Sequence, residues 1–125
     1  MNNDDFLRAE IKKLKNEFDY NYDDMYEVFS NIGDLFFSPY IKKPVASSEV
    51  VIELWNTLLD IFMNCTKFEN KFESISVMFD ILIYAEKLDI SLNRESLKEW
   101  YNIHHKDMHE DILECVNEIL LEPSN

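Results

Sequence analysis

The chain has 125 residues, of which 46% are hydrophobic and 14% aromatic, and its formal net charge is −13 at pH 7. This length and apolar content fit one domain with its own core and exclude a disordered chain. With one glycine and three prolines the chain lacks the turn residues that an all-β fold needs, so we expect an all-α fold.

Two helices are predicted in the first third of the chain. Apolar residues spaced four, three and four apart predict the first over about residues 5–18. Its inward stripe is Leu7, Ile11, Leu14 and Phe18. The inward residues of the second helix are Met25, Val28, Phe29, Ile32 and Phe36. Gly33 is expected to end or kink the second helix, since glycine is a poor helix former.

A linker over about residues 38–48, "SPYIKKPVASS", separates these helices from the next pair, because its two prolines cannot continue a helix. Ser47 or Ser48 should cap the third helix. The inward residues of this helix are Val51, Leu54, Trp55, Leu58 and Phe62. A fourth helix should begin near Lys67, with the inward residues Phe68, Phe72, Ile75, Phe79, Leu82 and Ile83. A buried strand over 75–84 is the alternative, but the helical period that begins at Phe68 favours a helix.

The last third of the chain predicts one or two more helices. Asn93 should cap a helix that holds Leu97, Trp100 and Tyr101. The final helix should run to about Leu121 with the inward residues Met108, Ile112, Cys115 and Ile119. These two could form one kinked helix. We therefore predict one compact domain over residues 1–125, with five or six helices in a bundle-like or orthogonal array.

The cellular compartment is inferred from two absent signals. The sequence has no apolar run of about 18 residues, and its first residues lack the basic start and apolar core of a signal peptide. We expect a cytoplasmic protein with no membrane partner. In that compartment Cys65 and Cys115 should be reduced thiols with a role in packing.

The negative charge is concentrated in two blocks. Residues 17–34 and 107–122 each contain six acids and no lysine or arginine. Three tyrosines lie among the acids of "EFDYNYDDMYE", residues 17–27. Tyrosine is common at interface hot spots, and the neighbouring carboxylates can bind arginine and lysine of a partner. We predict that a basic partner protein binds Glu17, Asp19, Tyr20, Tyr22, Asp23, Asp24, Tyr26, Glu27 and Asp34.

The first acidic block also contains half of a calcium-binding loop. Asp19, Asn21 and Asp23 match three oxygen-ligand positions of an EF-hand. The glycine that this loop needs at its sixth position is replaced by Asp24, and the twelfth position is Ser30, which cannot give a bidentate carboxylate. We therefore predict no calcium site.

Three histidines near the C-terminus, His104, His105 and His109, form a second candidate metal cluster. On a helix, His105 and His109 would be four residues apart on one face, a spacing that can bind zinc. The residues between them do not supply the glutamate of an H-E-x-x-H motif. A metal-dependent enzyme that uses this cluster is therefore the least favoured function, and we predict no metal and no cofactor.

The sequence favours binding over catalysis. It contains no G-x-S-x-G, P-loop or dinucleotide fingerprint, and its acidity disfavours direct binding of nucleic acid. We expect a small acidic inhibitor that neutralises a basic protein, as an immunity protein or antitoxin does with a nuclease toxin. The alternative is a helical adaptor or phage-type anti-defence protein that binds a nucleic-acid enzyme. The pattern does not specify an oligomeric state.

Overall fold

The computed structural model describes residues 3–18, 25–36, 45–65 and 67–121, and in these ranges it contains six helices and no strand. The helices are α1 (Asp4–Phe18), α2 (Met25–Phe36), α3 (Ser48–Asn64), α4 (Phe68–Lys87), α5 (Glu95–His104) and α6 (Glu110–Leu121). The predicted all-α fold is confirmed, and residues 75–84 are helical. None of these six helices is long and apolar enough to span a membrane.

We group the six helices by their contacts into two sets of three, which we call layers. In one layer α1 packs on α3, and α5 joins α3 through the rings of Phe62 and Trp100, whose centroids are 4.8 Å apart. In the other layer α2 and α6 both pack on α4. The α3–α4 interface is the most extensive contact between the layers, and the core lies mainly along it.

Helices α1 and α3 of the first layer run in the same direction. Asp4 Oδ1 accepts a hydrogen bond from the Ser47 backbone N–H at 2.7 Å, which joins the starts of α1 and α3. Further along both helices, Lys15 Nζ lies 3.7 Å from Glu53 Oε1. The Ser47 side chain also accepts the backbone N–H of Val50, so the predicted cap of α3 is confirmed.

In the second layer, α2 and α4 are also parallel. Gly33 lies beside Val77, and three residues later the Phe36 ring packs edge-on against Tyr84 with the centroids 5.1 Å apart. The expectation that Gly33 ends α2 is wrong, because the helix continues to Phe36. The φ angle of Gly33 is not positive, so this position needs no conformation reserved for glycine.

The predicted inward stripe of α4 is wrong in part. Ile75 and Leu82 are buried, but Phe68 is exposed, and three others are only half-buried: Phe72, Phe79 and Ile83. The residues that are buried on this helix are Asn70, Lys71, Ser74, Ile75, Val77, Met78, Ile81, Leu82, Tyr84 and Ala85. The physical reason is that α4 packs against α2, α3 and α6, so no single stripe describes its buried surface.

Lys71 joins α4 to the end of α3. Its ammonium donates to the carbonyl oxygens of Phe62 and, at 3.4 Å, Cys65, two of the carbonyls that the end of α3 leaves without an intrahelical partner. It also lies 4.6 Å from the centroid of the Phe62 ring and 5.7 Å from that of Trp100. Burial lowers the pKa of Lys71 below its ordinary value, and the nearby Cys65 opposes this effect.

The last two helices are separate. Residues 105–109 form turns between α5 and α6, and Met108, which was predicted on the inward face of the last helix, precedes α6. Arg94 occupies the N-cap position of α5, and the predicted cap Asn93 lies one residue earlier, where its Oδ1 accepts the Glu95 N–H at 3.0 Å. Ile112, Val116 and Ile119 form the buried face of α6, and Cys115 is half-buried.

Candidate functional site

Three of the predicted partner-binding residues lie on the surface of α2. Tyr26, Glu27 and Asp34 are all exposed, and 61% of Tyr26 is accessible to solvent. Glu17 lies in the last turn of α1. The other predicted residues fall outside the described ranges: Asp19, Tyr20, Tyr22, Asp23 and Asp24, together with Asn21 of the half calcium loop.

The second acidic block forms the exposed side of α6. Glu110, Asp111, Glu114 and Glu118 are all exposed on this helix. Acids in the first turn of a helix interact favourably with the helix dipole, and α6 begins with two of them.

Helix α6 runs parallel to α4 on the side away from α2. The His109 ring, at the start of α6, lies 4.6 Å from the Phe68 ring at the start of α4. Further along, the Ser76 hydroxyl is hydrogen-bonded to the Cys115 sulfur. Glu27 and Asp34 of the first acidic block, on α2, and the acids of α6 therefore lie on helices that both pack on α4.

Helix α4, on which α2 and α6 both pack, contributes three more acids. Glu69 is exposed, Glu73 and Asp80 are half-exposed, and their spacing of four and seven residues places them on one side of the helix. Together α2, α4 and α6 contain ten acids and two lysines, one of which is the buried Lys71. The other layer contains nine acids and five lysines or arginines, so the layers differ in charge.

These α4 acids were missed at the sequence level because the segment also contains lysines and looks nearly neutral. Lys71 does not offset the acids on the outer side of α4, since it points inward to the end of α3. The helical spacing of Glu69, Glu73 and Asp80 was the available signal. We call the outer surface of α2, α4 and α6 the acidic face.

Besides Lys71, burial shifts the pKa of two more titratable groups on this layer. It raises the pKa of Asp80 above the usual value for a carboxyl group. Burial also raises the pKa of the Cys115 thiol, and the nearby carboxylates of Glu118, Glu114 and Asp111 raise this pKa further. The hydrogen bond with Ser76 acts in the opposite direction and lowers it. A thiol held protonated in this way is a poor nucleophile.

A recess of about 550 Å³ opens at one edge of the acidic face. It is lined by Tyr26, Lys67, Glu69 and Asn70, and so joins the start of α2 to the start of α4. It brings a predicted interface tyrosine next to one of the acids that sequence reasoning missed. A smaller recess of about 370 Å³ lies on the other layer, with a mixed lining that includes Lys15 and Asp60.

His105 and His109 do not share a helix, because α5 ends at His104 and His109 precedes α6. Each ring has its own contact: His105 stacks on Tyr101 with the centroids 5.6 Å apart, and His109 packs on Phe68. In the part of the chain that the structure describes, no three His, Cys, Asp or Glu side chains are grouped so that they could hold a metal ion.

Comparisons with known proteins give no relative: no family model matches the chain, and neither a curated protein nor a solved structure matches it. The site is therefore interpreted from its own chemistry. A surface with many carboxylates and few cations produces a negative field that attracts positively charged macromolecules.

Proposed function

We propose that this protein is a small acidic inhibitor that binds and neutralises a basic protein through its acidic face. The observation that carries the proposal is the difference between the layers: ten acids and two lysines on α2, α4 and α6, with one lysine buried. A merely solvated surface more often carries interspersed charges of both signs. The segregation of charge supports a surface selected for a cationic partner.

The physical role of such a face is fast and selective encounter. Complementary potentials steer diffusional association and suppress wrong partners, whereas affinity depends more on a few buried anchors. Tyr26 is suited to be one such anchor, because it combines a large exposed ring with a polar tip at the edge of a recess that Glu69 also lines.

A nuclease toxin is the partner class that we propose, which makes the protein an immunity protein or antitoxin. Enzymes that act on nucleic acid have basic surfaces because they bind phosphate. A protein with a carboxylate-rich face can cover such a surface without any chemistry of its own. The cytoplasm is the compartment in which such protection acts.

Charge reversal tests this proposal. The variants are Glu27→Lys, Glu69→Lys and Glu114→Lys, one on each helix of the acidic face, and Glu49→Lys on α3 is the matched exposed control. The protein tested as the partner is the product of the adjacent gene, since we propose that the inhibitor neutralises a basic protein. Association and dissociation rates are measured at low and high salt, together with inhibition of the toxin.

We expect the three variants to slow association and to weaken its dependence on salt, while the control associates like the parent protein. Tyr26→Ala should instead speed dissociation, by roughly 2 kcal/mol if this ring is a hot spot. All of these residues are exposed, so the melting temperature should change little. Equal effects from the control and the three variants would argue against the acidic face as the binding surface.

A further inference from the structure

Helix α4 exposes a row of aromatic rings that its sequence pattern assigns to the core. Phe68 is 39% exposed, and Phe72 and Phe79 are half-buried. The Phe68 and Phe72 rings are stacked with their centroids 5.8 Å apart, and Phe68 also contacts His109 at the start of α6. The Phe68 contact places the start of this row at the seam between α4 and α6, and Phe72 and Phe79 follow at helical spacing on the same side of α4.

Carboxylates border this seam on both sides. Glu69 and Glu73 follow Phe68 and Phe72 by one position on α4, and Asp111 and Glu114 are exposed on α6. No lysine or arginine occurs on α6, and Lys71 of α4 points into the core. The seam thus combines partly exposed aromatic faces with acids on either side.

We propose that the α4–α6 seam is the docking site for an arginine-rich segment of the basic partner. This inference rests on the proposed function and adds to it the place of docking and the chemistry of the recognised residue. A planar guanidinium can stack on a ring of the aromatic row while its N–H groups donate to carboxylates beside the row. A lysine ammonium can also lie over a ring face, but it is a strongly hydrated point charge that cannot stack a plane on the ring or donate as a planar fork.

Charge complementarity favours this occupant over two others. A second copy of the chain would bring the same acids against each other across a symmetric interface, which is unfavourable because like charges repel. A purely apolar segment would cover the rings but would also remove water from the neighbouring carboxylates without supplying hydrogen-bond donors.

The test compares short oligo-arginine and oligo-lysine peptides of equal length, titrated into the full chain and followed by calorimetry and NMR. The variant is Phe68→Ala, and Phe6→Ala is a closely matched control, because Phe6 lies on α1 of the other layer and is 41% exposed. Phe72→Leu is a second variant that keeps an apolar side chain in the seam. Thermal melting verifies that each variant is folded.

We expect the arginine peptide to bind more tightly than the lysine peptide and to shift the NMR signals of Phe68, Phe72 and His109. Phe68→Ala should weaken arginine binding about tenfold, which corresponds to about 1.4 kcal/mol, and Phe6→Ala should leave it within about twofold. Phe72→Leu should weaken arginine binding in the same direction. The lysine peptide should respond little to any of these variants.

Two results would overturn the inference, and they separate it from the proposed function. If both peptides bind equally well and Phe68→Ala behaves like Phe6→Ala, or if the shifts lie around Tyr26, the acidic face binds cations but the seam is not the docking site. If neither peptide binds, the proposed function fails together with the seam.

Discussion

Replacement of Lys71 by methionine tests whether the buried ammonium stabilises the junction between α3 and α4. Methionine keeps most of the side-chain volume, so the change removes the ammonium without opening a large cavity. The carbonyls of Phe62 and Cys65 then lose a charged donor at the end of α3. Because Lys71 is only 7% exposed, water cannot readily take the place of the ammonium.

The size of the effect follows from opposing contributions. Hydrogen bonds to charged groups contribute about 1.5–3 kcal/mol each, and the longer contact to Cys65 O contributes at the low end. Removing the ammonium relieves part of its burial cost, the same cost that lowers the pKa of Lys71. We expect a net loss of about 2–3 kcal/mol in the free energy of unfolding, or roughly 10 °C in melting temperature.

Urea unfolding followed by circular dichroism measures this loss, and Lys87→Met, an exposed lysine in the last turn of the same helix, is the control. The control should change stability by less than about 0.5 kcal/mol. If Lys71→Met is as stable as the parent protein, apolar packing alone stabilises the α3–α4 junction, and the buried ammonium makes no net contribution to the free energy of unfolding.

The same variant predicts a change in pH dependence. The folded pKa of Lys71 lies below its ordinary value of 10.5, so between the two values the unfolded chain binds more protons than the folded chain. The free energy of unfolding contributed by this group therefore rises with pH through that window. Lys71→Met should lack this rise, and an unchanged pH profile would contradict the assignment.

Two further substitutions test single features. Asp80→Asn should raise the melting temperature at neutral pH, because burial raises the pKa of Asp80 and the charged form is therefore disfavoured in the folded state. This advantage should shrink as pH falls through that raised pKa and the parent carboxyl becomes protonated; a lower melting temperature at neutral pH would contradict it. Gly33→Ala should stabilise α2 by about 1 kcal/mol, since the new Cβ would lie 3.7 Å from Val77 Cγ2, an ordinary contact. Thermal unfolding measures this gain, and a loss of stability would show that the contact is too tight.

The sequence predicted best where a helix buries one regular stripe. All five inward residues predicted for α3 are buried, because their spacing follows one side of the helix. On α4 the same reasoning placed Phe68, Phe72 and Phe79 inside, but this helix has neighbours on three sides and its buried face lies elsewhere. Periodicity identifies a helix more reliably than it identifies which neighbours cover it.

The candidate site was predicted in part for a related reason. The acids of α2 and α6 were visible as charge blocks, but their connection through α4 depends on which helices pack together. The lysines of the α4 segment make it look nearly neutral in sequence, and the burial of Lys71 is visible only in the structure, where its carbonyl partners lie at the end of α3. Once Lys71 is assigned to the core, the outer side of α4 is acidic.

The order in which the helices pack has a consequence for how the chain folds. The main helix–helix contacts join helices that are at most two elements apart in sequence: α1–α2, α1–α3, α2–α4, α3–α4, α4–α6 and α5–α6. The contacts between consecutive helices close short stretches of chain, and the others skip a single helix. Topologies built from such contacts lose less entropy before native contacts form than topologies with more distant pairings. The bundle can grow by adding one helix pair to the preceding pair, so a nascent chain need not wait for its C-terminus before its first pairs begin to pack.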